Sequence, residues 1–305
     1  MAAGPAASPS GPDATASSPL DADSLLRFFT DHGRDLPWRH REAGPWGVLV
    51  SEFMLQQTPV VRVLPVYQAW MRRWPRPADL AADSPGDAVR EWGRLGYPRR
   101  ALRLHAAATV ITNEHGGQVP CTVEDLLLLP GVGEYTARAI AAFAFGTRTP
   151  VVDTNVRRVL SRAHRGVDSI REPATPADRR DLEALLPSDP ATAARFSAAV
   201  MELGALICTA SNPRCVDCPL ADRCRWRAAG RPAAIARRAV QTWAGTDRQV
   251  RGRVMALLRA AHSPVSAAEI AAAWADAEQR RRCVAGLVAD GLAVQLPDGS
   301  LTLPS

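Results

Sequence analysis

A chain of 305 residues, 47% of them hydrophobic, has room for about two domains and can bury a substantial core. Its formal charge of +6 favours a polyanionic partner such as nucleic acid, and charges break every apolar stretch well before the ~18 residues that a membrane-crossing helix needs. All 37 basic side chains are arginine, so the chain has no side-chain amine with which to form a Schiff base.

The first twenty residues, MAAGPAASPSGPDATASSPL, have neither an apolar core nor a basic start. They read as a disordered tail over 1–20 rather than a signal peptide, which implies a cytoplasmic protein. DADSLLRFFTDHG then has an acidic start, an apolar stripe and a closing glycine, the pattern of an amphipathic helix. Helical spacing recurs at 46–57, 61–73, 85–95, 99–114, 123–128, 134–145, 155–164, 176–186 and 191–207, with short connections rich in proline and glycine. No run of alternating strands is present, so the body is expected to be mostly α.

Within it, LPGVG at 129–133 precedes a helix. Such a turn points backbone N–H groups outward at the positive end of a helix dipole, and Gly131 and Gly133 leave room for a phosphate. Taken alone, it could equally be a plain turn between helices. Two acids stand out as well. Glu52 interrupts an otherwise apolar helix in WGVLVSEFMLQQTPV, where burying an unpaired carboxylate is costly. Asp153, in TPVVDTNVRRVL, stands directly before a helix. The plain alternatives are a surface charge for Glu52 and a helix N-cap for Asp153.

Cys208, Cys215, Cys218 and Cys224 follow as C-x6-C-x2-C-x5-C. In a cytosolic chain this spacing suggests a metal centre rather than disulfides, and four thiolates suit either zinc or an iron–sulfur cluster. Arg214, Arg223, Arg225 and Arg227 decorate the loop and would offer cations to a phosphate backbone, whereas Cys121 and Cys283 read as ordinary thiols. A linker over 229–246 is rich in Arg, Ala, Pro and Gly. Beyond it come a helix at 247–261, a capping box of Ser266 with Glu269, a helix at 276–290 ended by Gly291, and two short strands around Pro-Asp-Gly. Residues 247–305 are thus expected to form a small winged-helix-like C-terminal module.

SEFMLQQT, LPGVGEYTA, VDTNVRRVL and the cysteine loop occur in this order, together with LPWR at 36–39 and LGY at 95–97. Through these motifs, over about 25–227, the chain resembles the endonuclease III superfamily of helix-hairpin-helix base-excision glycosylases, and within it the adenine DNA glycosylase (MutY) branch. The resemblance implies a two-lobed helix-hairpin-helix fold, with a six-helix lobe at about 44–150 and a cluster lobe at about 21–43 and 151–228. It implies a [4Fe–4S] cluster on the four cysteines rather than zinc. The activity implied is monofunctional hydrolysis of the N-glycosidic bond of adenine mispaired with 8-oxoguanine or guanine in double-stranded DNA, by a monomer associated with the nucleoid.

Carried over by residue, Glu52 protonates N7 of a flipped adenine, and Asp153 steadies the oxocarbenium-like sugar or bonds to it transiently. Tyr135 lies beside the sugar and Asn155 orients Asp153. Gln57 and Tyr97 wedge into the base stack, Trp38 and Arg39 lie near the adenine pocket, and Thr58 and Leu95 lie near the opposing base. Both catalytic roles make physical sense, since an unprotonated adenine is a poor leaving group and the target atom cannot be reached inside a duplex. The strand-cutting branch of the superfamily carries lysine where this chain has Tyr135. Thymine and uracil mismatch glycosylases lack the glutamate of SEFMLQQT, and a non-catalytic iron–sulfur DNA-binding protein is the remaining alternative. Many adenine glycosylases continue into a Nudix-like domain that reads 8-oxoguanine. Here 81 residues follow Cys224 and no Phe-Ser-His loop is identifiable. The opposing base is therefore left to Gln57, Thr58 and Leu95, or to the helix bearing Arg248, Arg251 and Arg253, whose plain alternative is a solvated face. Arg157 and Arg158 are candidates to face DNA.

Overall fold

Proline and glycine punctuate the chain, and the helices form between them. The computed structural model describes residues 18–168, 174–233 and 244–305. α1 (Ala22–His32) opens where the Asp21 carboxylate accepts from the Ser24 amide. α2 (Gly44–Leu55) is buried from Trp46 to Met54. It is followed by α3 (Val60–Arg73), α4 (Pro77–Ala82), α5 (Pro85–Trp92), α6 (Arg99–Glu114), α7 (Val123–Leu128) and α8 (Glu134–Phe145). α9 (Thr154–Val159) continues as a π turn, Leu160–His164, and α10 (Pro176–Leu185), α11 (Pro190–Leu206) and the short α12 (Arg225–Ala228) complete the body. α13 (Asp247–Ala260), α14 (Ala267–Ala273) and α15 (Ala277–Ala289) precede an antiparallel hairpin of β1 (Val294–Gln295) and β2 (Leu301–Thr302), the only strands among the described residues.

Two cores divide the body. The first surrounds α2 and contains Trp70 packed edge-on against Trp74 and Trp92, while the Trp46 indole donates to the Trp74 carbonyl at 3.0 Å. The second gathers Leu25 and Phe28 of α1 with Val156, Phe196, Val200 and Leu203. Ala139, Ala142 and Val151 form a small seam, with Tyr135 and Met201 against it.

Some boundaries differ from the sequence expectation. Residues 1–17 of the expected tail lie outside the described residues, but Leu20, at its end, is 1% exposed and joins the second core. Leu36 and Trp38, expected with the cluster lobe, belong to the first core. α4, six residues long, is not among the helices expected from the sequence. Of the expected linker, 234–243 lie outside the described residues. The three helices and hairpin that follow have the expected order, but they do not stand apart. Val254, Met255, Leu258, Leu287 and Leu301 are continuous with the first core. The Arg90 guanidinium of α5 donates to the carbonyls of Arg259 at 3.3 Å and Ala261 at 3.1 Å.

An ion cluster fastens the segment after α1 to α11. The Glu202 side chain is fully buried and accepts from Arg34 Nε at 2.7 Å, Arg34 Nη2 at 2.9 Å and Arg39 Nη2 at 2.7 Å. Burial pushes this carboxyl up, but the hydrogen bonds from Arg34 and Arg39 prevail and bring it down to about 2. A carboxyl lowered in the folded state stabilises fully above its unfolded pKa of about 4.5, and loses that contribution as pH falls towards 2. Glu202→Gln should therefore cost on the order of 3 kcal/mol at pH 7 and progressively less between pH 4.5 and 2, as read by urea denaturation of wild type and variant across that range.

Candidate active site

α2 and α8 pack side by side, and α9 abuts α11, so the two candidate carboxylates come from different cores. Glu52 is 5% exposed and is therefore no surface charge. Burial pushes its carboxyl up to about 7, and the Asp153 charge adds to that, while a hydrogen bond from the Tyr135 hydroxyl pulls the other way. The Tyr135 phenol is itself pushed well up by burial and by the negative charge of Glu52 and Asp153. Glu52, Tyr135 and Asp153 thus form one electrostatically coupled group at the seam between the cores.

Asp153 fills the structural one of its candidate roles. It is the N-cap of α9, with Oδ1 accepting from the Val156 amide at 2.7 Å, and Oδ2 accepts from Asn155 Nδ2 at 2.8 Å. Burial raises its carboxyl, and these two hydrogen bonds oppose the rise. Asn155 is held in turn by Arg158, whose Nη2 donates to Asn155 Oδ1 at 2.7 Å and to the Gly204 carbonyl at 2.6 Å, while its Nε donates to the Cys208 carbonyl at 2.5 Å. A Cβ on Gly204 would stand 2.7 Å from the Asn155 Cβ, so α11 can approach Asn155 this closely only with glycine there. Arg157 and Arg158 are both buried, and Arg157 pairs with Asp178 at 3.3 Å. Their expected place facing DNA is corrected: both guanidinia are turned into the fold, where only paired arginines are tolerated.

Gln57 and Tyr97 share an uncommon backbone. Their φ values are 54° and 48°, in the left-handed region that costs non-glycine residues energy and clusters at functional positions. Tyr97 is 50% exposed. Thr58 and Leu95 are buried behind them, with the Thr58 hydroxyl donating to the Leu95 carbonyl at 3.3 Å. One residue ties both loops together and escaped sequence reasoning. The buried Arg100 guanidinium donates to the carbonyls of Phe53 (2.9 Å), Met54 (3.2 Å), Gln56 and Gly96 (3.1 Å), and to the Thr58 hydroxyl (3.0 Å). Burial pulls this guanidinium down to about 10, so it remains charged at neutral pH. Its sequence signal was an arginine on the buried stripe Arg100, Leu104, Ala108, Ile111 of α6. Glu202 carried the same kind of signal on the buried stripe of α11, whereas Arg34 lies past the end of α1 on no helix stripe. Trp38 packs edge-on against Tyr67 at 5.1 Å, and Arg39 spends its guanidinium on Glu202 and the Arg34 carbonyl.

The LPGVG turn joins α7 to α8. Gly131 has φ 82°, and a Cβ there would lie 2.7 Å from the Arg103 Cβ, so packing alone demands glycine. Gly133, the N-cap of α8, has open space where a Cβ would be.

Cys208, Cys215, Cys218 and Cys224 line one pocket with Ile207, Ala221, Trp226 and Arg227. Burial pushes the Cys218 thiol up to about 12, with the other three cysteines adding to the rise. Thiols so crowded and dehydrated become good thiolates only when metal charge offsets them. Four cysteines lining one pocket are the donor set that an iron–sulfur cluster would take. The Arg162 guanidinium lies against this pocket, 3.5 Å from Cys208 Sγ and 4.5 Å from the Trp226 ring centre. The loop arginines expected to face phosphate all have protein partners: Arg214 at Asp217, Arg223 at Asp21, Arg225 at the His164 carbonyl and Arg227 at Asp222. Cys121 is exposed and Cys283 buried, with neither near the pocket lining.

This arrangement, two helical cores meeting at a hairpin with a carboxylate from each side and a cysteine loop beyond, defines the helix-hairpin-helix base-excision class. Residues 50–182 match the model of the HhH-GPD superfamily base excision DNA repair proteins, and 208–224 match the iron-sulfur binding domain of endonuclease III. A solved structure of a thermostable thymine-DNA glycosylase is similar with a TM-score of 0.61 and 27% identity, over 68% of this chain and 95% of that one. Finer similarity separates the branches. An adenine DNA glycosylase of Mycobacterium tuberculosis is 51% identical over 295 residues, 96% of each chain, and one of Mycolicibacterium smegmatis is 52% identical over 92% of this chain and 94% of that one. The chain belongs to the adenine DNA glycosylase family, and its cofactor is a [4Fe–4S] cluster.

Arg100→Lys keeps the charge but cannot reach five acceptors in two loops. It should cost about 2–4 kcal/mol in chemical denaturation. It should also raise the rate of limited proteolysis at 95–98, because the left-handed backbone there loses its clamp.

Proposed function

We propose that the chain is a monofunctional adenine DNA glycosylase of base excision repair, acting as a monomer on double-stranded DNA in which adenine is mispaired with 8-oxoguanine or guanine. The observation that carries this reading is the coupled group of Glu52, Tyr135 and Asp153. A carboxyl raised to about 7 holds a proton at neutral pH and can deliver it. That proton goes to N7 of an extruded adenine and turns the base into a leaving group. Asp153, fixed by Asn155 and the Val156 amide, then faces the electron-poor sugar as the N-glycosidic bond opens. It steadies that charge or bonds to it transiently until water adds. Tyr135 donates to Glu52, close to the sugar. Without lysine, an abasic site is the end product, and no side-chain imine follows.

The remaining residues bind. Gly131 and Gly133 grip a phosphate, Gln57 and Tyr97 enter the stack that the adenine leaves, Thr58 and Leu95 back them beside the opposing base, and Trp38 and Arg39 border the adenine pocket. The cluster, held by Cys208, Cys215, Cys218 and Cys224, supplies a structural crosslink that positions the lobe on DNA. Residues 247–305 form a winged-helix-like module that completes the first lobe. The substrate places the protein in the cytoplasm at the nucleoid, and no helix among the described residues is long and apolar enough to cross a membrane.

Single-turnover base release from duplexes carrying A:8-oxoG, A:G, T:G or thymine glycol tests the reading. Adenine should be freed from the first two, leaving an alkali-labile site without spontaneous strand scission. Release of a pyrimidine instead would assign the chain to the mismatch branch, and no release at all would favour a DNA-binding protein. Glu52→Gln should slow adenine release by at least ~100-fold. Because the working form is the protonated acid and its pKa is raised, the wild-type rate should fall as pH climbs through about 7. A rate flat from pH 6 to 8.5 would remove Glu52 as the acid.

A further inference from the structure

Gln57 stands two residues past the end of α2 and Tyr97 two residues before α6, and both side chains are exposed. The φ of a residue is set by the peptide plane that precedes it. The left-handed φ of Gln57 and Tyr97 therefore depends on where the carbonyls of Gln56 and Gly96 point. Both point at one group. Arg100 Nη1 donates to the Gln56 carbonyl, and Nη2 donates to the Gly96 carbonyl at 3.1 Å. Each left-handed residue is held on its far side as well. Arg100 Nη2 donates to the Thr58 hydroxyl at 3.0 Å, and the Arg100 amide donates to the Tyr97 carbonyl at 3.0 Å. The guanidinium is itself braced, with its carbon 5.2 Å from the ring centre of the fully buried Trp92, whose indole donates to the same Gly96 carbonyl at 3.0 Å.

Left-handed backbone in a glutamine or a tyrosine persists only where its surroundings over-determine it. Here one guanidinium does so for two separate loops. Extruding a base breaks its stacking and pairing, and the side chains that fill the gap must hold against a stack that tends to close. Two such side chains on independent loops would recoil separately. We propose that Arg100 is the positioning residue for base extrusion: by orienting both peptide planes it sets Gln57 and Tyr97 at a fixed spacing, so that the two enter the stack together as adenine leaves. Arg100 acts through those side chains and takes no part in breaking the glycosidic bond. This deepens the glycosylase reading and rests on Gln57 and Tyr97 entering the stack.

Stopped-flow fluorescence of the full chain on an A:8-oxoG duplex tests it. A 2-aminopurine paired with thymine stands next to the target adenine and brightens when that adenine leaves the stack. With enzyme in saturating excess, an unfolded fraction lowers the amount bound and not the rate. Arg100→Lys keeps the charge but not the planar fork, and should slow the brightening about 10-fold. Thr58→Val removes one acceptor of the same fork and should slow it about 3-fold. Arg165→Lys loosens a comparable anchor in the second core, on Asp178 and Asp181, and should leave the rate at the wild-type value. Brightening at the wild-type rate in Arg100→Lys, or an equal slowing in Arg165→Lys, would overturn the proposal. Where the lysine variant does not fold, Thr58→Val decides by the same criterion. A wild type that never brightens the probe would overturn the proposal together with the wedge. Adenine release from the same duplex is judged separately. A wild type that brightens the probe but spares adenine loses the glycosylase reading, and the comparison of extrusion rates still judges Arg100.

Discussion

Everything at the candidate site follows from keeping one carboxyl out of water without a cation beside it. Glu52 sits in a helix whose other buried members are apolar except for Ser51, and the groups that act on it are a tyrosine hydroxyl and a second carboxylate. An arginine in that place would hold the group ionised, as Arg34 and Arg39 do for Glu202. The two buried glutamates therefore show opposite uses of the same side chain. One is stripped of counter-charge and keeps its proton; the other is supplied with two guanidinia and serves as a fastener.

Around that carboxyl the structure is rigid where position matters. Arg100 collects acceptors from the end of α2 and from the 95–97 turn, so the two left-handed residues Gln57 and Tyr97 are set by one guanidinium. On the other side Arg158 joins Asn155, Gly204 and the Cys208 carbonyl, so the frame around Asp153 is continuous with the start of the cysteine loop. Each is a buried arginine satisfied mainly by backbone oxygens. Such a hub constrains several chain segments at once, which a pair of side chains cannot do.

The sequence made the site's chemistry legible because its key residues break local patterns. Glu52 interrupts an apolar run, Asp153 precedes a helix, and four cysteines crowd one loop, so each announces itself within a dozen or so residues. Arg100 and Glu202 break patterns too, on the buried stripes of α6 and α11, but their partners lie tens to hundreds of positions away and only folding brings them together. Arg39 shows the limit well, since its motif was recognisable while its partner, Glu202, was not. Arg157 and Arg158 mark the opposite error, because a pair of adjacent arginines looked solvent-facing and proved to be internal. Helix ends slipped by one to three residues where a left-handed residue stopped the helix, as Gly93 does after α5.

The shared core between α5, α6 and the last sixty or so residues also bears on how such a chain can be shortened. Read as a string, the Arg/Ala/Pro/Gly segment after the cysteine loop invites a cut, as though the tail were an accessory. Yet Val254, Leu258 and Leu287 complete an apolar surface that the α5–α6 side cannot cover unaided. A gene ending at the linker would encode every catalytic group and still leave an oily flank bare to solvent, a form prone to clumping and clearance before it met its target. In this architecture the tail is an outer wall of the first lobe, and selection for solubility alone would suffice to retain it.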